Sequence, residues 1–137
     1  IVAGLVGITP AAGFVDPMGA LIIGLVSGPV CYVSSVWLKK LLKYDDSLDA
    51  FGLHGAGGLV GALLTGLLAT TAVNDLSEGA NVLAQFMGLV WTIVWSAIGT
   101  LVVLVICKYT TGLRVNETVE DEGLDTHLHG EALEPSA

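Results

Sequence analysis

The amino-acid sequence predicts an all-α, polytopic transmembrane protein, and three observations carry that prediction. Uncharged apolar stretches of 18 residues or more recur along the chain, long enough to cross the hydrocarbon core of a bilayer. Charged residues make up 13% of the sequence, against about 25% in an ordinary soluble domain. Every Lys and Arg lies either between two of the apolar stretches or after the last of them. With 53% hydrophobic residues and a mean hydropathy of +0.78, the composition points to helices that meet lipid.

Residues 1–8 are apolar but too short to span, and read as the end of a helix. The chain opens at Ile1 inside this run, with no Met and no basic n-region, which argues against a signal peptide. It suggests the C-terminal part of something longer. Pro10 and Pro17 bracket a connection, and Asp16 before Pro17 is a helix start: a capping residue, then proline at the first helical position. The first complete span is predicted over about 17–42. It carries Gly24 and Gly28 as a small-xxx-small pair for close helix approach, Pro29 mid-span, and Trp37 at interface depth. Lys39, Lys40 and Lys43 close it, favourably for its dipole.

The second span is predicted over about 45–70, with Asp45, Asp46 and Ser47 as caps and Asp49 in the first turn. A helix started there places His54 roughly two to three turns in. After a polar loop at 71–79, the third span covers about 80–109 and sets Trp91 and Trp95 on one face. Residues 1–111 thus form the membrane region and 112–137 a tail.

Because the basic residues flank only the 39–49 loop and the tail, the positive-inside rule makes these two segments cytoplasmic and turns the 9–16 and 71–79 loops outward. The net charge is −8, and seven of the thirteen acids follow Arg114, so the acidity belongs largely to the tail. Nucleic-acid binding, which requires a basic face, is excluded. Asn116-Glu117-Thr118 matches a glycosylation sequon that a cytoplasmic tail leaves inert. Cys31 and Cys107 sit inside apolar runs without Cys or His neighbours at ligand spacing, and read as small buried hydrophobes.

His54 is the residue with chemistry. On an ideal helix it shares a face with Gly58, Gly61 and Thr65: one ionisable ring followed by almost no side-chain volume. Such a face is either a packing groove with a hydrogen-bonded histidine or the lining of a pore or relay. An ionisable group at membrane depth is costly and marks a pathway by default. A neutral imidazole donates from one nitrogen and accepts on the other, so it can guide a small polar molecule through a narrow apolar bore. Gly55, Gly57, Gly58 and Gly61 do not form a dinucleotide fingerprint, since Val60 stands where glycine is needed and no strand precedes them. His127 and His129 alone do not make a metal site, no nucleophile–base set is assembled, and neither an enzyme nor a cofactor is expected.

Several blocks together carry a resemblance. Gly4-Leu5-Val6-Gly7-Ile8-Thr9-Pro10-Ala11-Ala12-Gly13, Gly19-Ala20-Leu21-Ile22-Ile23-Gly24, and Asp45-Asp46 with Asp49-Ala50-Phe51-Gly52-Leu53-His54-Gly55 closely resemble the ammonium transporter family. Gly112-Leu113-Arg114-Val115, Glu122-Gly123-Leu124-Asp125 and His129-Gly130-Glu131 are similar to its cytoplasmic tail. The blocks follow the family's order over nearly the whole chain.

The resemblance implies an eleven-helix, inverted-repeat fold in the plasma (inner) membrane, assembled as a homotrimer with one pore per subunit. This chain would supply the end of the eighth helix, helices nine to eleven and the tail. His54 would be the second of two pore histidines, and Asp46, Asp49, Gly58 and Gly61 would support the pore helix. The implied activity is recruitment and deprotonation of ammonium followed by passage of ammonia; the alternative is an ammonium sensor signalling through its tail. Arg114, Gly123, Asp125, His129, Gly130 and Glu131 would belong to a regulatory surface for a PII-type nitrogen signal protein. The chain departs from the family's tail pattern at Glu134, where a tyrosine is common.

Overall fold

The structure is a computed structural model and describes residues 1–131; Glu134 lies outside them. Among the described residues all regular elements are helical. By their contacts they form two units, residues 1–93 and the residues from 94 on.

The first unit opens with α1 (Val2–Ile8), which tightens into a 3₁₀ turn at Thr9–Ala11. Asp16 stops the following loop: its Oδ1 accepts the Gly19 N–H at 2.7 Å, and Pro17 takes the first helical position. α2 (Pro17–Val33) runs through a π turn at Ser34–Leu38 into α3 (Lys39–Leu42). The 26 continuous residues reach about 39 Å at 1.5 Å per residue, enough to cross a bilayer core of about 30 Å with tilt. Lys43 ends the helix in the left-handed region, at φ +51°.

The next span begins later than the aspartates suggest. Helical structure starts at Ala50, with a π turn at Phe51–Gly55 leading into α4 (Ala56–Leu68). Asp46 turns its carboxylate onto the N–H groups of Ala50 (2.7 Å), Phe51 (3.0 Å) and Gly52 (3.2 Å). Asp49, at φ +53°, lies outside the helix rather than in its first turn. The cap therefore sits ahead of the helix, and His54 falls about one turn in instead of two to three.

In this unit α1, α2 and α4 meet through small residues. Lipid gives apolar helices no hydrophobic reason to associate, so contact depends on how closely backbones approach. A Cβ on Gly61 would lie 2.1 Å from the Gly7 carbonyl oxygen, and one on Gly7 would lie 2.0 Å from Ser27 Oγ. Ala11, Ile23, Ser27, Cys31 and Ala62 complete the buried centre. Of the predicted glycine pair, Gly24 faces Gly4, whereas nothing among the described residues approaches Gly28. At the end away from the lysines, the Thr70 N–H donates to the Phe14 carbonyl (2.9 Å) and the Asn74 amide donates to the Gly13 carbonyl (3.2 Å). The two loops that carry no basic residue thus meet at one end.

α5 (Val82–Thr110) crosses from the first unit into the second; its 29 residues reach about 44 Å, and none is buried. Beyond it lie a short helix, α6 (Glu117–Glu122), and a π turn at Asp125–His129. The described residues hold three helices long and apolar enough to cross a membrane: Pro17–Leu42, Phe51–Leu68 and Val82–Thr110.

Candidate functional site

His54 occupies the π turn that opens α4. Such turns are rare and recur at functional sites, because the extra residue redirects side chains. Here each preceding residue is tied to the neighbouring span or loop. Phe51 packs edge-on against Tyr44, with ring centroids 5.8 Å apart. Gly52 lies so close to Ser35 that a Cβ would sit 2.2 Å from its Oγ and 2.9 Å from its Cα. The Leu53 carbonyl accepts the Cys31 thiol at 3.6 Å as well as the Ala56 N–H. At the lysine end, Lys39 Nζ donates to Asp49 Oδ1 (2.5 Å) and to the Asp46 carbonyl (3.0 Å).

The imidazole lines an open recess of about 420 Å³ with Val2, Leu5, Val6, Thr9, Pro10 and Gly58. The Thr9 hydroxyl donates to the Leu5 carbonyl (2.7 Å), leaving its oxygen free to accept. The polar side chains on these walls are therefore one imidazole and one hydroxyl. His54 is exposed on the open side, and among the described residues its ring makes no hydrogen bond. Gly58 extends the recess, since a Cβ there would meet nothing within 4 Å. Gly61 and Thr65, on the same stripe, are buried instead, and the Thr65 hydroxyl donates to the Gly61 carbonyl (2.8 Å). The predicted face thus divides into a recess half and a packing half.

Asp46 satisfies three amide donors that a helix start otherwise leaves to water. Asp46→Ala is expected to cost about 0.5–2 kcal/mol and to speed hydrogen exchange at Ala50, Phe51 and Gly52. Protection equal to the parent's at all three amides counts against the capping role.

The tail residues form their own small cluster. Arg114 donates to Glu120 through Nε (2.7 Å) and Nη2 (2.5 Å), a forked pair. This hydrogen bond holds the Glu120 carboxyl below the usual carboxylate range. Since the folded pKa is depressed, the pair's contribution is complete above the unfolded value of about 4.3 and disappears as pH falls through the folded one. A carboxylate NMR titration should place the Glu120 midpoint below about 4.3, and Arg114→Leu should raise it; an unmoved midpoint excludes the pair. Gly123 (φ +96°) and Gly130 (φ +67°) supply conformations that side chains resist, on either side of the π turn. The Asp125 carbonyl accepts the Gly130 and Glu131 N–H groups. His127 pairs with Glu122 rather than with His129. Among the described residues no three His, Cys, Asp or Glu are placed to hold a metal ion.

Comparison with known proteins settles the family. The Ammonium Transporter Family description matches residues 1–133. This chain belongs to the ammonium transporter family. It is 47% identical over 137 residues to the ammonium transporter of Bacillus subtilis (strain 168), covering 95% of this chain and 34% of that one. It is 46% identical over 136 residues to that of Aquifex aeolicus, covering 96% and 32%. Among solved structures it is similar to Saccharomyces cerevisiae Mep2 (TM-score 0.73, 35% identity, 85% of this chain and 29% of that one). Candida albicans Mep2 gives 0.72 and 34% over 85% and 28%. The chain spans about a third of the length of the curated relatives it matches.

Within this family of transporters, not enzymes, the structure brings His54 and Gly58 together at the recess and puts Gly61 into helix packing. Asp46 and Asp49 stand at the helix start. Arg114, Gly123, Asp125, His129, Gly130 and Glu131 belong to the second unit. The sequence reading missed Lys39, Cys31 and Ser35 as supports of the His54 turn. Lys39 was legible only as a dipole partner, because its contact with Asp49 spans ten residues across a loop and follows no helical spacing.

Proposed function

We propose that this chain supplies the His54-bearing part of a transmembrane pathway for ammonium and ammonia. The observation that carries the reading is the placement of His54: an imidazole without a hydrogen-bond partner among the described residues, on a membrane-length helix, facing an apolar recess. Ammonium arrives from the side of the 9–16 and 71–79 loops and gives up a proton, and neutral ammonia passes along the bore. The imidazole accepts a hydrogen bond from the guest on one nitrogen or donates to it from the other, without holding it as an ion. Potassium is refused because apolar walls offer no ligands to replace its water shell, and it has no proton to shed.

In this reading the protein lies in the plasma (inner) membrane, with the lysine loop and the tail cytoplasmic by the positive-inside rule. It assembles as a homotrimer in the lipid bilayer, and Asp46, Asp49, Gly58 and Gly61 support the pore helix. The tail residues Arg114, Gly123, Asp125, His129, Gly130 and Glu131 present the surface for a PII-type nitrogen signal protein. The sensor alternative draws on the same tail, and no feature of the described residues favours it over transport. The test is a chimera in which this chain replaces the matching third of a full-length family member. In a transporter-deficient cell it should restore growth on low ammonium and take up methylammonium unhindered by excess potassium. A chimera present in the membrane at the parent's level yet unable to do either refutes the proposal.

A further inference from the structure

We infer that Lys39 is a positioning residue for His54, acting through the aspartate loop; the inference rests on the transport reading above. Lys39 leaves the end of the first long span and donates both to the Asp49 carboxylate (2.5 Å) and to the Asp46 carbonyl (3.0 Å). Its side chain is 30% exposed and that of Asp49 38%, so most of the pair is shielded from water. Asp49 holds a left-handed backbone, φ +53°, which is uncommon for a non-glycine residue, although aspartate enters it more readily than most. The Lys39 ion pair fixes its carboxylate, while its N–H donates to the Asp46 carbonyl (3.1 Å) and its own carbonyl accepts the Leu53 N–H (2.8 Å). Asp46, three residues earlier, spends its carboxylate on Ala50, Phe51 and Gly52, the residues that lead directly to His54.

These contacts form one chain of cause. With Lys39 in place, Asp49 stays outside the helix, Asp46 can reach forward as a cap, and the first helical turn is wide. Without it, Asp49 relaxes to negative φ and the helix extends backward through 47–49, displacing the Asp46 cap. A π turn holds one residue more than an α turn. Its collapse rotates the residues at its start against α4 by up to about 100°, the step of one residue at 3.6 per turn. That rotation carries the imidazole off the recess wall. Ser35 against Gly52 and Cys31 against Leu53 O, both from the same preceding span, oppose the rotation from the other side.

The test uses the same full-length chimera with Lys39→Met, Lys39→Arg and Asp49→Gly. Lys39→Met should lower the maximal methylammonium uptake per molecule in the membrane about tenfold, with KM within twofold of the parent. Lys39→Arg keeps the charge and should restore at least a third of the parental rate. Glycine accepts positive φ without help, so Asp49→Gly in the Lys39→Met background should recover part of the lost uptake. Independently of transport, hydrogen exchange at the Ala50, Phe51 and Gly52 amides should be about tenfold faster in Lys39→Met and near parental in Lys39→Arg. A Lys39→Met chimera that transports at the parental rate per molecule, or whose three amides keep parental protection, overturns the inference. A parent chimera that transports nothing counts instead against the transport reading, and the exchange measurement then decides the role of Lys39 alone.

Discussion

Uptake of methylammonium by a full-length chimera carrying His54→Ala is expected to fall at least tenfold at equal amounts of protein in the membrane. Alanine removes the one imidazole from a recess otherwise walled by Val2, Leu5, Val6, Thr9, Pro10 and Gly58. A molecule of ammonia entering such a bore leaves its hydrogen-bonded water behind, and a guest without a partner pays the desolvation penalty in full. Losing one such partner at about 1.4 kcal/mol corresponds to the tenfold slowing. Folding should be unaffected, because the ring makes no hydrogen bond among the described residues and lies on the exposed side. His54→Gln separates two roles: an amide donates and accepts but does not titrate near neutral pH. If Gln preserves most of the uptake that Ala loses, the ring serves as a hydrogen-bond guide; if both lose equally, a titrating group is required. Parental uptake by the alanine variant would remove His54 from the pathway.

The largest effect on stability is expected from Gly61→Val. A Cβ at this position would lie 2.1 Å from the Gly7 carbonyl oxygen, 2.9 Å from its carbon and 3.1 Å from its Cα. All three atoms are backbone, so no rotamer change relieves the clash and α1 must move away from α4. Forcing extra volume into a filled contact costs about 1–3 kcal/mol, and the branched side chain places this case at the upper end. Gly58→Ala is the control, because a Cβ there meets nothing within 4 Å. Thermal unfolding in detergent should therefore show Gly61→Val well below the parent and Gly58→Ala close to it. Equal unfolding temperatures for the two variants would mean that the Gly7–Gly61 contact does not hold these helices together. Gly58→Ala should act on transport instead, by narrowing the recess beside His54.

The contrast between Gly58 and Gly61 shows where sequence reading stops. Both fall on one stripe with His54, and spacing treats them alike. Only the path of α1 across α4 decides that Gly58 stays open while Gly61 touches Gly7. The same holds for the start of the His54 helix. Asp45, Asp46 and Ser47 were legible as caps and Asp49 as a first-turn residue, yet periodicity cannot tell a cap beside the first turn from one that reaches forward across a loop. The left-handed Asp49 and the π turn at Phe51–Gly55 are met by Lys39, Ser35 and Cys31 from another span, and no local pattern encodes those contacts.

By itself the sequence determined that the chain is helical and made for a bilayer. Length and lack of charge decide that, residue by residue, since a segment in lipid must satisfy its own backbone hydrogen bonds. It also determined the family, through blocks of residues kept in order, and it singled out His54 as the ionisable group inside an apolar span. The tertiary structure alone decided where that imidazole faces. Direction depends on the rotation of one helix against its neighbours, and the residues that meet across those helices, Lys39 with Asp49 and Gly7 with Gly61, lie far apart in the chain.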